Sequence, residues 1–342
     1  MRLARLRHLT GGGAFHAMSR FADGKAVFDV ENASCPNANY FLKLMRKLEA
    51  FHGMKIITYT LMSTHFHLLV CEPAHSSKKI SDEELVAKIR ALNGSTAAAE
   101  LAWQLKHLRV ELKSPAAAEE LKMRYLKRMG NISNFIQDLK GRFAQWYNRR
   151  KGRYGVLWAD RFKSVLVEGG TATWTMAAYI DLNCVRAGLA DDPKDYRWCG
   201  YGEATAGGSQ LARTGLMEVF AERGELSWKQ FARDYRKLLF TEGEQKPVAL
   251  NSNKRPRRGI AAARVQEVLD GNGELTLGEL VRCRVRYFAD GLALGSAEFI
   301  EKIFDGNRGH FGEKRKDGAR RLRGGDYEGL RTLRDLRKSP LG

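Results

Sequence analysis

Cysteine is scarce and scattered here: Cys35, Cys71, Cys184, Cys199 and Cys283 are the five in 342 residues, an odd number with no CxxC pair. Such spacing offers neither a disulfide framework nor a zinc ribbon, so the five read as reduced thiols. Long apolar runs are missing as well. No stretch approaches the ~20 residues that span a bilayer, and the opening MRLARLRHLTGGG lacks the apolar core of a secretory signal. The expectation is a cytoplasmic, nucleoid-associated protein with no membrane partner. A phosphate-cradling GxxxxGK[ST] loop is absent, so neither ATP nor a nicotinamide is implied. Acidic residues are also short: 39 Asp and Glu face 58 Lys and Arg, a formal charge of +19. That imbalance points to a polyanionic partner, nucleic acid first and an anionic membrane surface second.

What is present can build a core, since 44% of the residues are hydrophobic. GAFHAMSRF (13–21) reads as a strand, YFLKLMRKLEAFHG (40–53) as a helix, and KIITYTLMS and HFHLLVCEP as two strands nearly in contact. This order opens a ferredoxin-like or RRM-like α+β fold, an antiparallel sheet with helices on one face. Residues 76–129 read as a helical insertion, with Ser81 and Glu84 as a capping box and Ser114 before Pro115 as a second helix start. NISNFIQDLKGRFAQWYNRR carries the apolar stripe Ile132, Phe135, Ile136, Leu139, Phe143 and Trp146. FKSVLVEGG supplies a further strand, and TATWTMAAYIDLNCVRAG (171–188) a helix of about four turns stopped by Gly188.

On these grounds a catalytic domain spans 1–212, followed by a helical extension over 213–243 with helices near 214–223 and 227–240. A polar, basic linker occupies 244–259 and a compact helical module 260–312, built from GIAAARVQEVLD, TLGELVRCRVRYF and SAEFIEKIF. A DNA contact is one use of that module. Residues 313–342 read as a basic tail, disordered when free.

The chemistry begins at LMSTHFHLLV. Strand side chains alternate faces, so His65 and His67 point the same way, roughly 7 Å apart at Cα, a geometry able to grip one metal ion. Tyr179 and Asn183, four apart, share a helical face. If that face lies over the histidine strand, two imidazoles, an amide oxygen and a phenol meet. Mixed nitrogen and oxygen ligands with open positions suit Mg²⁺ or Mn²⁺ bridging to a phosphate. Such an ion stabilises charge while the phenol oxygen attacks phosphorus. Ligating imidazoles must be neutral, so activity is expected to fall below about pH 6. Tyr147 and Tyr154 compete as nucleophiles. They lie in a basic stretch holding Lys140, Arg142, Arg149, Arg150, Lys151, Arg153, Arg161 and Lys163 against the single acid Asp160. Interleaved with Trp146, Tyr147, Tyr154 and Trp158, these cations match a single-strand groove in which charge follows phosphates and rings stack on bases.

Taken in order, FHAMSR, LMSTHFHLLV, WYNRRKGRYGVLWADRFKSVLVE, and AAYIDLNCVRAG followed by DYRWCGYG resemble the blocks of the HUH single-tyrosine transposases, and within them the REP-associated tyrosine transposases. The resemblance covers about residues 13–202 and is interrupted by the helical stretch after Pro73. It implies His65 and His67 as metal ligands, Asn183 as the third ligand and Tyr179 as nucleophile, in preference to Tyr147 and Tyr154. It further implies cutting and rejoining of single-stranded DNA at a hairpin-bearing repeat, through a 5′-phosphotyrosine intermediate and a free 3′-hydroxyl. Two positions depart from the pattern: Cys184 stands where members commonly have proline, and Asn183 is shorter than the glutamine of related branches. A domesticated repeat-binding protein that does not cleave is the rival reading. Another HUH nuclease, such as a replication initiator or relaxase, fits the lone Tyr179 and downstream Asn183 less well. A homodimer, with the tyrosine completed by either chain's histidines, is left open.

Overall fold

The runs AFHAMSR, KIITYTLM and HFHLLVC form strands β1 (Ala14–Arg20), β2 (Lys55–Met62) and β3 (His65–Cys71), the second favoured by its β-branched Ile56, Ile57, Thr58 and Thr60. The structure, a computed structural model, describes residue 6 and residues 13–73, 80–218, 227–239, 277–334, 336 and 341. It is an α+β fold around a seven-stranded sheet ordered β2-β3-β1-β4-β5-β7-β6. β1 pairs antiparallel with both β3 and β4 (Lys163–Val167), so the first four strands have the expected ferredoxin-like order.

The chain divides into two compact units, each drawn from separate stretches of sequence. One comprises Met1–Cys35, Ile56–Cys71 and Trp158–Gly342, and the other Pro36–Lys55 and Glu72–Leu157. The second unit is helical: α1 (Pro36–His52), α2 (Asp82–Asn93), α3 (Ser95–Lys106), α4 (Pro115–Leu126) and α5 (Ile132–Arg150). α2 to α4 lie within residues 76–129, the stretch expected to be helical. Ser81 caps α2 by accepting from the Glu84 N–H, and Asn131 caps α5 by accepting from Ser133 and Asn134. Ile132, Phe135, Ile136, Leu139 and Phe143 are buried along α5, with Phe143 edge-on to Phe41 at 5.2 Å. Trp146, half-buried at the end of that stripe, lies 5.9 Å from Phe143 and stacks on Tyr40 at 3.9 Å.

The first unit holds the sheet and the remaining helices. The predicted helix over 171–188 is broken at Leu182 into α6 (Thr171–Asp181) and α7 (Asn183–Arg186), and the chain leaves through Gly188 at φ +71. Thr60 Oγ1 donates to the Ile180 carbonyl at 2.6 Å and Thr58 Oγ1 to Asp181 at 2.7 Å, fixing the end of α6 against β2. The DYRWCGYG segment then enters α8 (Gly200–Thr205), where a Cβ at Gly200 would collide with Thr58. Two further helices follow: α9 (Gln210–Met217) begins ahead of the helix expected near 214–223, and α10 (Trp228–Leu239) lies within the one expected near 227–240.

The C-terminal region departs from a purely helical module and tail. TLGELVRCRVRYF is two short helices, α11 (Leu277–Arg282) and α12 (Arg286–Asp290), because buried Val285 turns extended and bridges to Leu341. β5 (Ala293–Gly295) then joins the sheet parallel to β4, and SAEFIEKIF forms α13 (Ala297–Gly306). Inside the expected tail, β6 (Arg320–Arg321) and β7 (Arg331–Thr332) continue the sheet. The basic side chains there are partly consumed by structure: Arg315 donates to the carbonyls of Gly318 and Leu333. Linker 244–259 and GIAAARVQEVLD lie outside the described residues. No helix among the described residues is long and apolar enough to cross a membrane.

Candidate active site

Antiparallel register fixes one face of the sheet. Met18 lies opposite His67 and Arg20 opposite His65, so alternation puts His16, Met18, Arg20, His65 and His67 on the same side. The two strand histidines have ring centroids 5.0 Å apart. His16 is a third member that sequence reasoning missed, although its place in FHAMSR, two residues before Met18, carries the same alternation. Its Nδ1 lies 2.6 Å from the Phe288 carbonyl, and its Nε2 lies 2.8 Å from His67 Nδ1. A carbonyl only accepts, so a neutral His16 donates from Nδ1 and accepts at Nε2. His67 then donates from Nδ1, which leaves its Nε2 lone pair bare. His65 Nδ1 is occupied by Thr64 Oγ1 at 2.9 Å.

All three imidazoles are held neutral. Burial, opposed by the Phe288 bond and aided by Arg186, lowers His16 to about 4. Burial, then the charges of Arg20 and Arg284, lowers His65 to about 4. His67 is pushed well below its ordinary value by burial first, then by competition with the His65 and His16 imidazoles and by the charges of Arg186 and Arg20. The imidazoles therefore stay unprotonated well under the pH 6 threshold expected from sequence.

Tyr179 and the histidines are joined through Arg186 and Phe288. The Arg186 guanidinium sits 4.1 Å from the Tyr179 ring centroid and donates to the carbonyls of Tyr179 at 2.6 Å and Val281 at 2.5 Å. It also acts electrostatically on His16 and His67. Phe288 on α12 accepts from His16 with its carbonyl and packs its ring edge-on to Tyr179 at 4.9 Å. Tyr179 is only 3% exposed. Arg186, seven residues on from Tyr179, is legible as two helical turns; Phe288, 109 positions away, has no sequence signal. Asn183 is half-buried just past the α6 break, and its amide nitrogen bonds back to the carbonyls of Ile180 at 3.1 Å and Tyr179 at 3.4 Å.

No group of three or more His, Cys, Asp or Glu among the described residues is placed to hold a metal ion. The imidazole pair nonetheless suits a divalent cation in part: both rings are neutral and have Nδ1 occupied, leaving Nε2 as the ligating atom. The donor set is short of anionic oxygen, with Arg20, Arg186 and Arg284 nearby.

The basic candidates divide between the two units. In the helical unit, Arg149, Arg150 and Lys151 are exposed, while Lys140 and Arg142 are half-buried, and Arg142 donates to Asn93 at 2.9 Å. Arg150 lies over Trp146 and Arg153 over Tyr147, and Tyr154 is 93% exposed. In the sheet unit, Arg161 and Lys163 are exposed, and Lys163 pairs with Asp290 at 2.5 Å. Trp158 is placed differently from expectation. It is a core ring, stacked on Phe21 at 4.4 Å and edge-on to Phe66 at 5.6 Å, with no face left for a base. Hydrophobic burial against β1 and β3 outweighs its basic sequence context.

No family model matches the chain, and no curated protein matches it. Among solved structures, a REP-associated tyrosine transposase bound to a REP hairpin is similar to this chain at 11% identity and a TM-score of 0.37. The alignment covers 62% of this chain and 90% of that one. At that identity and score the likeness is distant.

Proposed function

We propose that the chain cuts and rejoins single-stranded DNA at hairpin-forming repeats, with Tyr179 as nucleophile. What supports this reading is that Phe288 accepts from His16 with its carbonyl and packs its ring against Tyr179, that Arg186 lies over the Tyr179 ring, and that His16 bonds His67. In the reaction, the Tyr179 oxygen bonds to phosphorus, the bond from phosphorus to the 3′-oxygen breaks, and a 3′-hydroxyl leaves. The phenol proton passes to solvent or base, the departing 3′-oxygen takes up a proton from solvent to become the hydroxyl, and the strand stays joined to Tyr179 through its 5′-phosphate. Arg186, against the ring face, stabilises negative charge as it develops on the phenol oxygen. His65 and His67 would hold Mg²⁺ or Mn²⁺ through Nε2, with Asn183 as third ligand, and such an ion would supply charge stabilisation at the phosphate. On the helical unit taken by itself, the exposed Arg149 and Arg150 and the ring of Tyr154 suit a sequence-tolerant hold on single-stranded DNA.

Burial of Tyr179 favours a second reading, a repeat-binding protein that does not cleave, because a phenol 3% exposed beneath Phe288 must be uncovered before it can reach phosphorus. Tyr179→Phe separates the two. Loss of covalent DNA with binding retained supports the enzyme. A wild-type protein that binds the repeat, forms no adduct with either metal, and is unaffected by the substitution supports the binder.

A further inference from the structure

On the sheet unit, a cavity of about 550 Å³ opens where the ends of β1 and β4 meet α12 and the segment before it. Its wall carries five cations, Arg20, Arg161, Lys163, Arg284 and Arg286, against two carboxylates, Asp160 and Asp290. Asp290 is engaged by Lys163 at 2.5 Å. Arg20, Arg161, Arg284 and Arg286 have no carboxylate partner among the described residues, and the Arg286 Nε is buried with no hydrogen-bond partner there. Two of these arginines come from the C-terminal region, where only a helical module and tail were expected.

Four guanidiniums converging on one cavity without acidic partners repel one another, an arrangement that a bound anion relieves. The volume falls within the ~300–1,000 Å³ of sites for nucleotide-sized ligands, more than a bare phosphate fills. Position narrows the occupant further. Arg20 is the direct cross-strand partner of His65, and Arg20 and Arg284 both act on that imidazole electrostatically. An anion here lies beside the histidine pair.

We propose that this cavity binds one nucleotide of a single DNA strand next to the candidate active site, with its backbone phosphate on Arg20, Arg161, Arg284 and Arg286. The assignment rests on the reading of the chain as a single-strand DNA protein, and adds a subsite that neither α5 nor the histidine strand provides. Guanidinium forks match phosphate oxygens bidentately, and the stems of the arginines with Met18 and Leu336 offer an apolar wall to the sugar and base.

The test measures binding of a fluorescent single-stranded oligonucleotide to the full chain in EDTA, where no cleavage occurs, across a salt series. Replacing Arg284 and Arg286 together by alanine is expected to weaken binding about tenfold per arginine and to reduce the salt slope by about 0.7 for each phosphate no longer neutralised. Arg284→Lys with Arg286→Lys should restore most of the slope, since charge is kept while the fork is removed. Should the double alanine variant fail to fold, Arg161→Ala, on an exposed side chain, is expected to weaken binding about tenfold. Unchanged affinity and slope in the alanine variants overturn the assignment. So does inorganic phosphate or a deoxynucleoside monophosphate competing as well as the oligonucleotide, which would make the cavity a small-anion site. The two readings fail separately: an arginine-dependent slope without any tyrosine adduct sinks the cleavage reaction alone, and an adduct that forms normally in the alanine variants with unaltered binding sinks the cavity alone.

Discussion

His16 Nε2 accepts a hydrogen bond from His67 Nδ1 across 2.8 Å, and the Phe288 carbonyl at the other end of His16 sets the direction of that bond. The relay runs from His67 through His16 to the backbone and leaves His67 Nε2 as a bare lone pair. His16 is therefore a positioning residue for His67, in the way that second partners fix a ligating imidazole. His16→Ala is expected to weaken divalent-metal dependence of adduct formation by about 10–100-fold with little change in DNA affinity. Metal titrations of the adduct rate alongside binding curves check it, and an unaltered metal midpoint contradicts it.

Arg186 has two structural bonds as well as its place over Tyr179, so its removal should be felt twice. Arg186→Ala leaves the carbonyls of Tyr179 and Val281 without that donor, an expected loss of about 1–3 kcal/mol in stability, read from denaturant melts. It also removes a cation–π interaction of about 0.5–2 kcal/mol from the ring, roughly 2- to 30-fold in adduct rate. Arg186→Lys keeps the charge without the fork and should recover rate more than stability.

Two neutral imidazoles and an amide beside Arg20, Arg186 and Arg284 make a poor cage for a cation by themselves, because ligand charge sets the affinity of hard metals. A phosphodiester supplies the missing anionic oxygen. Mn²⁺ is expected to bind about tenfold tighter or more when a single strand is present, a coupling that must be reciprocal. Calorimetric titration of Tyr179→Phe with and without the oligonucleotide measures it, and equal affinities in the two titrations count against the ligand set.

Asp181 is buried in the same helix, accepting from Thr58, Tyr235 and the Tyr201 N–H, yet burial outweighs these bonds and raises its carboxyl to about 7. The fold thus prefers the protonated form. Its contribution to stability is full below the ordinary value of 3.8 and is lost as pH rises through about 7. Asp181→Asn cannot titrate. The stability of the wild type relative to this variant should fall across that window and flatten above it, as denaturant melts at several pH values will read. A difference independent of pH contradicts the assignment.

Much of the fold was readable from local pattern. The HFH alternation placed both imidazoles on one face, and the strand order followed from the opening four elements. The break after Asp181 was not legible, since Leu182 and Asn183 carry no helix-breaking chemistry and the change is confined to one residue near ψ 0. β5, β6 and β7 are two or three residues long, too short to show a period, and form by successive edge pairing, β5 on β4, β7 on β5 and β6 on β7. Trp158 was misread because its neighbours in sequence are cations while its neighbours in space are Phe21 and Phe66. Phe288 and the arginines at 284 and 286 reach the site only through the tertiary fold.

Attack by Tyr179 on a single strand is tested most directly by incubating the protein with Mn²⁺ and labelled single strands from the DNA flanking its own gene. Denaturant-resistant adducts are then mapped by mass spectrometry. The expected result is a 5′-phosphate ester on Tyr179 that disappears in Tyr179→Phe; an adduct on Tyr147 or the exposed Tyr154, or the same adduct yield in Tyr179→Phe, contradicts it.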